Sequence, residues 1–273
     1  MAYSKTRLAP TPSGYLHLGN ALSFALTATL ARANGARILL RIDDMDRERV
    51  EEAYVQDIFD TLSFLDIPWD EGPRDAREFL RAYSQALRLD LYRQALDQLA
   101  ALGAVFACTC PRNQTYEGIC LEKGLPLDTP NAAWRLKVAG ALPYFVVRKK
   151  DGFPAYQLTS LIDDLYYGVD LIVRGEDLRS STIAQQELAG VLGRQAFARV
   201  HFVHHPLLME TPGRKLSKSE GATSIRYLRA QGYRASEVFQ MIGEMLGLER
   251  PVADWRGLGE AYLPRLGGAE AVP

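Results

Sequence analysis

Apolar and polar positions alternate with helical and strand periods along most of this chain. From Asn20 the apolar residues fall at Leu22, Ala25, Leu26 and Leu30, one face of a helix that Gly35 ends. Arg37 to Ile42 reads as a buried parallel strand. It closes on Asp43, Asp44 and Asp46, on the rim where open α/β sheets bind ligands. Val55, Ile58, Phe59, Leu62 and Leu65 share the face of a second helix. A longer helix is predicted from about Ala82 to Leu102, with Leu87, Leu91, Ala95, Leu99 and Leu102 inward. Its Arg81, Arg88 and Arg93 read as a solvated face, and Gly103 stops it. Tyr144 to Arg148 is expected to re-enter the sheet. Phe153 to Ser160 leads into Ile162, and Val169 to Arg174 is another strand with Gly175, Glu176 and Asp177 at its rim. Ser180 caps a helix ending near Gly193, His201 to His205 is a strand or its edge, and Ser224 to Leu248 is helical. Strands alternating with helices predict an α/β fold.

The chain has 273 residues, a formal net charge of -1 and a hydrophobic share of 47%, so composition alone does not mark a nucleic-acid binder. Its 32 lysines and arginines still leave room for a local basic patch. There is no apolar run of about eighteen residues and no signal-peptide core at the N-terminus, so the expected place is cytoplasmic, with no membrane partner. The three cysteines cluster as Cys108-Thr-Cys110 and Cys120. Clustered cysteines in a cytosolic chain point to metal more than to disulfides, and tetrahedral zinc asks for a fourth ligand. The alternative is three reduced cysteines without metal. His204 and His205 alternate faces of one strand and read as structural or peripheral.

Two stretches carry candidate chemistry. Thr6 to Ala9 can be a strand, Pro10, Pro12 and Gly14 force a turn, and the helix follows at once. Its free amides and positive dipole end, beside His17, Gly19 and Asn20, suit phosphate. An ordinary strand-loop-helix connection would look the same. The second stretch, Lys215-Leu-Ser-Lys-Ser219, lies between Gly213-Arg214 and Glu220-Gly221. Two lysines three apart with two small hydroxyls can hold a polyphosphate whose charge shifts during reaction. Alone, it would read as a solvated basic loop.

Together, His17-Leu-Gly-Asn20 and Lys215-Leu-Ser-Lys-Ser219 resemble the paired HIGH and KMSKS signatures of class I aminoacyl-tRNA synthetases. Arg7-Leu-Ala-Pro-Thr-Pro-Ser-Gly-Tyr-Leu-His17 resembles their glutamate-specific branch. The resemblance implies a Rossmann-type parallel sheet with a cysteine-bearing insertion and a small C-terminal helical part. The expected divisions are 1–103 and 144–206 for the two Rossmann halves, 104–143 for the insertion, and 207–273 for the Lys215–Ser219 loop and helices. Only about fifty residues follow Ser219, so no anticodon-binding domain is expected, as in the truncated members of the branch.

Those members glutamylate queuosine in tRNA(Asp), after activating L-glutamate with ATP. The resemblance gives catalytic roles to His17, Lys215 and Lys218, with His17, Gly19, Asn20 and Lys218 binding ATP and magnesium arriving with it. It assigns glutamate to Arg7, Ala9, Thr11, Asp43, Tyr156, Ser160 and Arg174. It supplies Tyr116 as a fourth ligand to one structural zinc held by Cys108, Cys110 and Cys120. Partners are then ATP, L-glutamate and tRNA(Asp), with a monomeric chain. Two positions depart from the pattern: bacterial glutamate enzymes usually carry Glu where Asp43 stands, and the signature His is Asn20 here. Two other functions compete: a glutamate-activating ligase with another acceptor (a tRNA 3′ end, a small molecule or a protein), and an inactive tRNA-binding paralogue.

Overall fold

The structure is a computed structural model and describes residues 3–111, 119–138, 144–211, 214–215 and 224–266, side chains being described outside 119 and 210–223. In chain order the elements are β1 (Lys5–Leu8), α1 (Leu18–Asn34), β2 (Arg37–Leu40), α2 (Glu52–Phe64), α3 (Ala76–Glu78), α4 (Leu89–Ala101), β3 (Val105–Cys108), α5 (Ile119–Glu122), β4 (Ala133–Leu136), β5 (Val146–Arg148), α6 (Tyr156–Tyr167), β6 (Leu171–Gly175), α7 (Arg179–Val191), β7 (His201–His205), β8 (Met209–Thr211), β9 (Arg214–Lys215), α8 (Ile225–Ala230), α9 (Ala235–Met245) and α10 (Trp255–Leu266). They fall into two compact units.

The first unit contains 1–85, 169–179 and 200–273. Its sheet is parallel, in the order β2-β1-β6-β7. Leu8, Ile38, Leu40 and Leu171 are buried in its strands, and Leu22, Leu26, Ile58 and Leu62 pack from α1 and α2. This is the expected α/β fold. Gly35 ends α1 in the left-handed region, where a residue without Cβ is unstrained. Helix α10, which sequence periodicity did not reveal, lies against α1. A Cβ on Gly259 would stand 2.0 Å from Thr29 Oγ1, so the two helices meet with no room for a side chain.

The second unit contains 86–168 and 180–199. It holds an antiparallel sheet, β3-β4-β5, with α4, α6 and α7. Two expectations are corrected here. Tyr144 to Arg148 does not join the parallel sheet: β5 pairs with β4 instead. The long helix is also broken, with a π-helical turn at Phe79–Tyr83 and a 3₁₀ turn at Gln85–Arg88 before α4 begins. Leu87, in the 3₁₀ turn, and Leu102, the residue that caps the far end of α4, are exposed at 59% and 57% instead of inward. Arg88 is buried: its Nε and Nη2 donate to Asp163 at 2.8 and 3.1 Å, and Tyr92 Oη donates to the same carboxylate at 2.7 Å. The predicted Ser224–Leu248 helix is likewise divided into α8 and α9 around Gly232, at φ 85°.

Gly259→Ala is expected to cost about 2 kcal/mol or more by overpacking α1 against α10. Gly190→Ala, in an exposed helix position with open space around it, should be neutral or mildly stabilising. Denaturation midpoints of the two variants check the contrast, and an equal effect would refute it.

Candidate functional site

The sheet order places the site. From β1 the chain passes through α1 to β2 on one side, while β6 lies on the other side of β1. Such a reversal opens a crevice at the carboxyl ends of the strands. Arg7 on β1 and Arg174 on β6 are both buried there, at 5% and 3% exposure. Arg7 Nη1 donates to Val173 O at 3.4 Å, and the Arg174 guanidinium lies 5.0 Å from the centre of the Phe202 ring. Just past β2, the Asp43 amide donates to Pro10 O at 2.9 Å, which brings the acidic rim to the β1–α1 turn. Ala9 is half-buried and Thr11 is exposed on that turn.

Asp43 is paired. Arg41 Nε and Nη2 donate to its two carboxylate oxygens at 2.7 and 3.1 Å, with both side chains buried. Alternate residues of an extended segment face one side, so the Arg41-x-Asp43 spacing was the available signal for a pair that the sequence reading missed. Asp44 next to it accepts from Ser84 Oγ at 2.5 Å and from the Gln85 amide at 2.7 Å, and Gln85 Oε1 accepts from the Met45 amide at 2.9 Å.

At the helix start, His17 is the N-cap of α1. Its Nδ1 accepts from the Gly19 amide at 3.1 Å, and its own amide donates to Asn20 Oδ1 at 3.0 Å. Nδ1 is thus an acceptor, which leaves the neutral ring's proton on Nε2, the edge turned away from the helix backbone. Gly19 gives that ring its space, since a Cβ there would lie 3.0 Å from His17 Cε1. Asn20 closes a capping box as Glu or Gln usually does.

His204 and His205 follow Arg174 and Gly175 across the β6–β7 ladder. His205 Nδ1 faces Pro206 O at 2.9 Å, so it carries the proton and Nε2 accepts from Ser23 Oγ at 2.8 Å, fixing β7 to α1. Burial lowers the basicity of both histidines. That of His204 falls to about 4, with repulsion from Arg174 and Arg179 adding to burial.

Tyr156 and Ser160 lie in the second unit. Both are on α6, Tyr156 half exposed at its first turn and Ser160 fully buried. The cysteine cluster is in that unit as well. The three sulfurs lie within 4.8 Å of one another, and Cys110 and Cys120 are 3.3 Å apart. Zinc with ligands at about 2.3 Å would set tetrahedral sulfurs about 3.8 Å apart, so the group fits such an ion. The hydrogen bond between Cys110 and Cys120 pushes the Cys110 thiol up to about 11. For Cys120, burial opposes ionisation, but that bond and backbone amides hold it down to about 7. Arg135 Nε donates to Cys108 Sγ at 3.2 Å. Tyr116 and Lys218 lie outside the described residues. The backbone of Lys215 pairs with Met209 in the β8–β9 hairpin, but its side chain is outside them.

Residues 4–118 and 131–250 match the family of class I tRNA synthetases (E and Q), catalytic domain. The chain belongs to that family. A glutamyl-Q tRNA(Asp) synthetase of a Synechococcus strain is 36% identical over 265 residues, covering 90% of this chain and 84% of that protein. One from Nitratidesulfovibrio vulgaris is 34% identical over 282 residues, covering 89% and 86%. Among solved structures, the glutamate-tRNA synthetase of Elizabethkingia anophelis shares the fold, with a TM-score of 0.72 at 21% identity. The alignment covers 95% of this chain but 65% of that longer one. This synthetase domain therefore has the parallel-sheet α/β fold of a class I catalytic domain. Among its described residues no helix is long and apolar enough to cross a membrane.

His204 stays neutral in the fold, whereas an unfolded histidine protonates near 6.5. Its contribution to stability is thus present above about pH 6.5 and is lost as the pH falls toward about 4. The denaturation midpoint should fall across that window, and His204→Gln should flatten the slope. An unchanged slope would count against a buried neutral His204.

Proposed function

We propose that this chain activates L-glutamate with ATP and transfers the glutamyl group to queuosine in tRNA(Asp). The supporting observation is the charge pattern of the crevice, in which the buried guanidiniums of Arg7 and Arg174 stand near the switch point together with the buried Arg41–Asp43 pair, while Asp44 is held by Ser84 and Gln85. Glutamate carries two carboxylates and one ammonium, the complement of Arg7, Arg174 and Asp43. Ala9 and Thr11, on the β1–α1 turn of the same unit, complete its contacts there. The names of the relatives, glutamyl-Q tRNA(Asp) synthetase, support the choice of acceptor.

The α-carboxylate of glutamate attacks the α-phosphorus of ATP. A carboxylate O–P bond forms, the bond to the β-phosphate oxygen breaks, and pyrophosphate leaves. A hydroxyl of the acceptor then takes the acyl group and AMP departs. No protein nucleophile is required, so the side chains orient and offset charge. The Nε2–H of His17 and the positive end of the α1 dipole at Gly19 and Asn20, whose amides are held by His17 Nδ1 and O, meet the phosphates, and Lys215 and Lys218 offset charge on the departing pyrophosphate. Magnesium enters with ATP. Cys108, Cys110 and Cys120, with Tyr116, would hold one structural zinc, whose closed ligand set fixes the local chain.

Asp43→Asn is expected to lower kcat/KM for glutamate about 100-fold in glutamate-dependent pyrophosphate exchange, with the KM for ATP unchanged. Equal kinetics would remove Asp43 from the ammonium site. Cys108→Ser should lose bound zinc by elemental analysis, and wild-type metal content in that variant would refute the zinc site. Labelled glutamate should enter tRNA from normal cells but not tRNA from cells unable to make queuosine. Equal labelling of both pools would point to the 3′ end. Exchange without labelling would point to an acceptor other than tRNA, and no exchange at all would point to an inactive paralogue.

A further inference from the structure

The segment leading into His17 and the chain emerging from the Lys215–Ser219 loop are joined. His17 and Ser224 form an isolated antiparallel bridge, and the Ile225 amide donates to Leu16 O at 2.8 Å. Ser224 in turn caps α8, its Oγ accepting from the Tyr227 amide at 3.1 Å. Any shift at Ser224 or Ile225 therefore acts on the backbone of Leu16 and His17.

Asp57 sits beneath this junction. It lies on α2 within the apolar stripe of Val55, Ile58, Phe59 and Leu62, and only 3% of it is exposed. An apolar residue would suit packing at such a position, because a buried carboxylate is costly without partners. Its two oxygens divide the work. Oδ2 accepts from the Leu16 amide at 3.1 Å, the residue before the α1 cap. Oδ1 lies 3.8 Å from Arg229 Nη2 on α8, and that guanidinium also reaches Asp60 Oδ2 at 3.4 Å. On the outer side, Arg226 of α8 covers the Tyr15 ring at 4.4 Å and hydrogen-bonds its hydroxyl, and Tyr15 meets Tyr54 of α2 edge to face.

We propose that Asp57 is a positioning residue that fixes the His17 cap and the start of α8 to one point. Through the Leu16 amide it sets where the His17 ring stands, and through Arg229 it holds α8 at the distance the Ser224 bridge requires. The inference rests on the reading that His17 and the Lys215–Ser219 loop hold the phosphates of ATP. The His17 cap and the start of α8 are then held together, so loss of Asp57 weakens ATP binding and leaves the glutamate contacts alone.

The test compares Asp57→Asn, Arg229→Met and the double variant in the full chain. Asn keeps an oxygen for the Leu16 amide but loses the charge facing Arg229. Readouts are magnesium-ATP affinity by calorimetry, the KM for ATP and for glutamate in pyrophosphate exchange, and the melting temperature. Asp57→Asn should weaken ATP binding and raise its KM about tenfold, the scale of one lost charged contact, with the KM for glutamate unchanged. Arg229→Met should act in the same direction, and the double variant should be no worse than Asp57→Asn alone, because the two act as a pair. A merely structural role would lower the melting temperature and the active fraction without separating the two KM values. An unchanged ATP affinity in folded Asp57→Asn, or fully additive effects, would overturn the proposal. If Asp57→Asn does not fold, Arg229→Met decides by the same ATP readout. If the wild-type chain binds no ATP, the underlying reading fails and this inference with it.

Discussion

β1 hydrogen-bonds to β2 on one side and to β6 on the other, and both neighbours run in its direction. That pairing cannot be made by a short hairpin, so each connection must leave the sheet and return. It sets the carboxyl ends of three strands side by side, which brings Arg7, Asp43 and Arg174 to one rim although they are far apart in the chain. The α1 amino end arrives at the same rim because the helix follows β1 directly. Slipping the register by one residue would turn Arg7 and Arg174 to the opposite face of the sheet.

The rim concentrates charge where water is scarce, and its two buried carboxylates are each held by specific partners. Arg41 grips Asp43 through two hydrogen bonds, while Ser84 and Gln85 grip Asp44. In the other unit, Arg88 and Tyr92 converge on Asp163. Removing one member of such a set leaves an uncompensated buried group, which costs more than the pair contributes. These contacts also immobilise side chains, which the proposed catalysis by orientation requires.

Helix capping links the fold to the chemistry. His17 satisfies an amide of α1 with Nδ1 and in doing so determines which nitrogen carries its proton. The Gly19 backbone makes room for the ring. The segment that bridges to Ser224 begins one residue earlier, at Leu16, so the cap and the chain beyond the second signature share a common foundation on α2.

The sequence by itself determined the α/β class, the strand-turn-helix at Arg7–Asn20, the acidic rim after β2 and the cysteine cluster. These depend on local periodicity, turn residues and motif spacing, all of which are written in consecutive positions. Arg7, Asp43 and Arg174 could be singled out as candidates because their surrounding motifs resemble those of the family. Tertiary structure alone decided that Tyr144–Arg148 pairs in an antiparallel sheet, because strand partners are chosen by long-range packing and not by a strand's own sequence. It alone decided that Arg88 turns inward, since the carboxylate that receives it, on Asp163, lies 75 residues away in the chain. The same holds for Arg41 with Asp43, for α10 against α1 through Gly259, and for Asp57 beneath Leu16. In each case the deciding partner is distant in the chain or hidden by an ordinary pattern, and only the folded backbone brings it within a few ångströms.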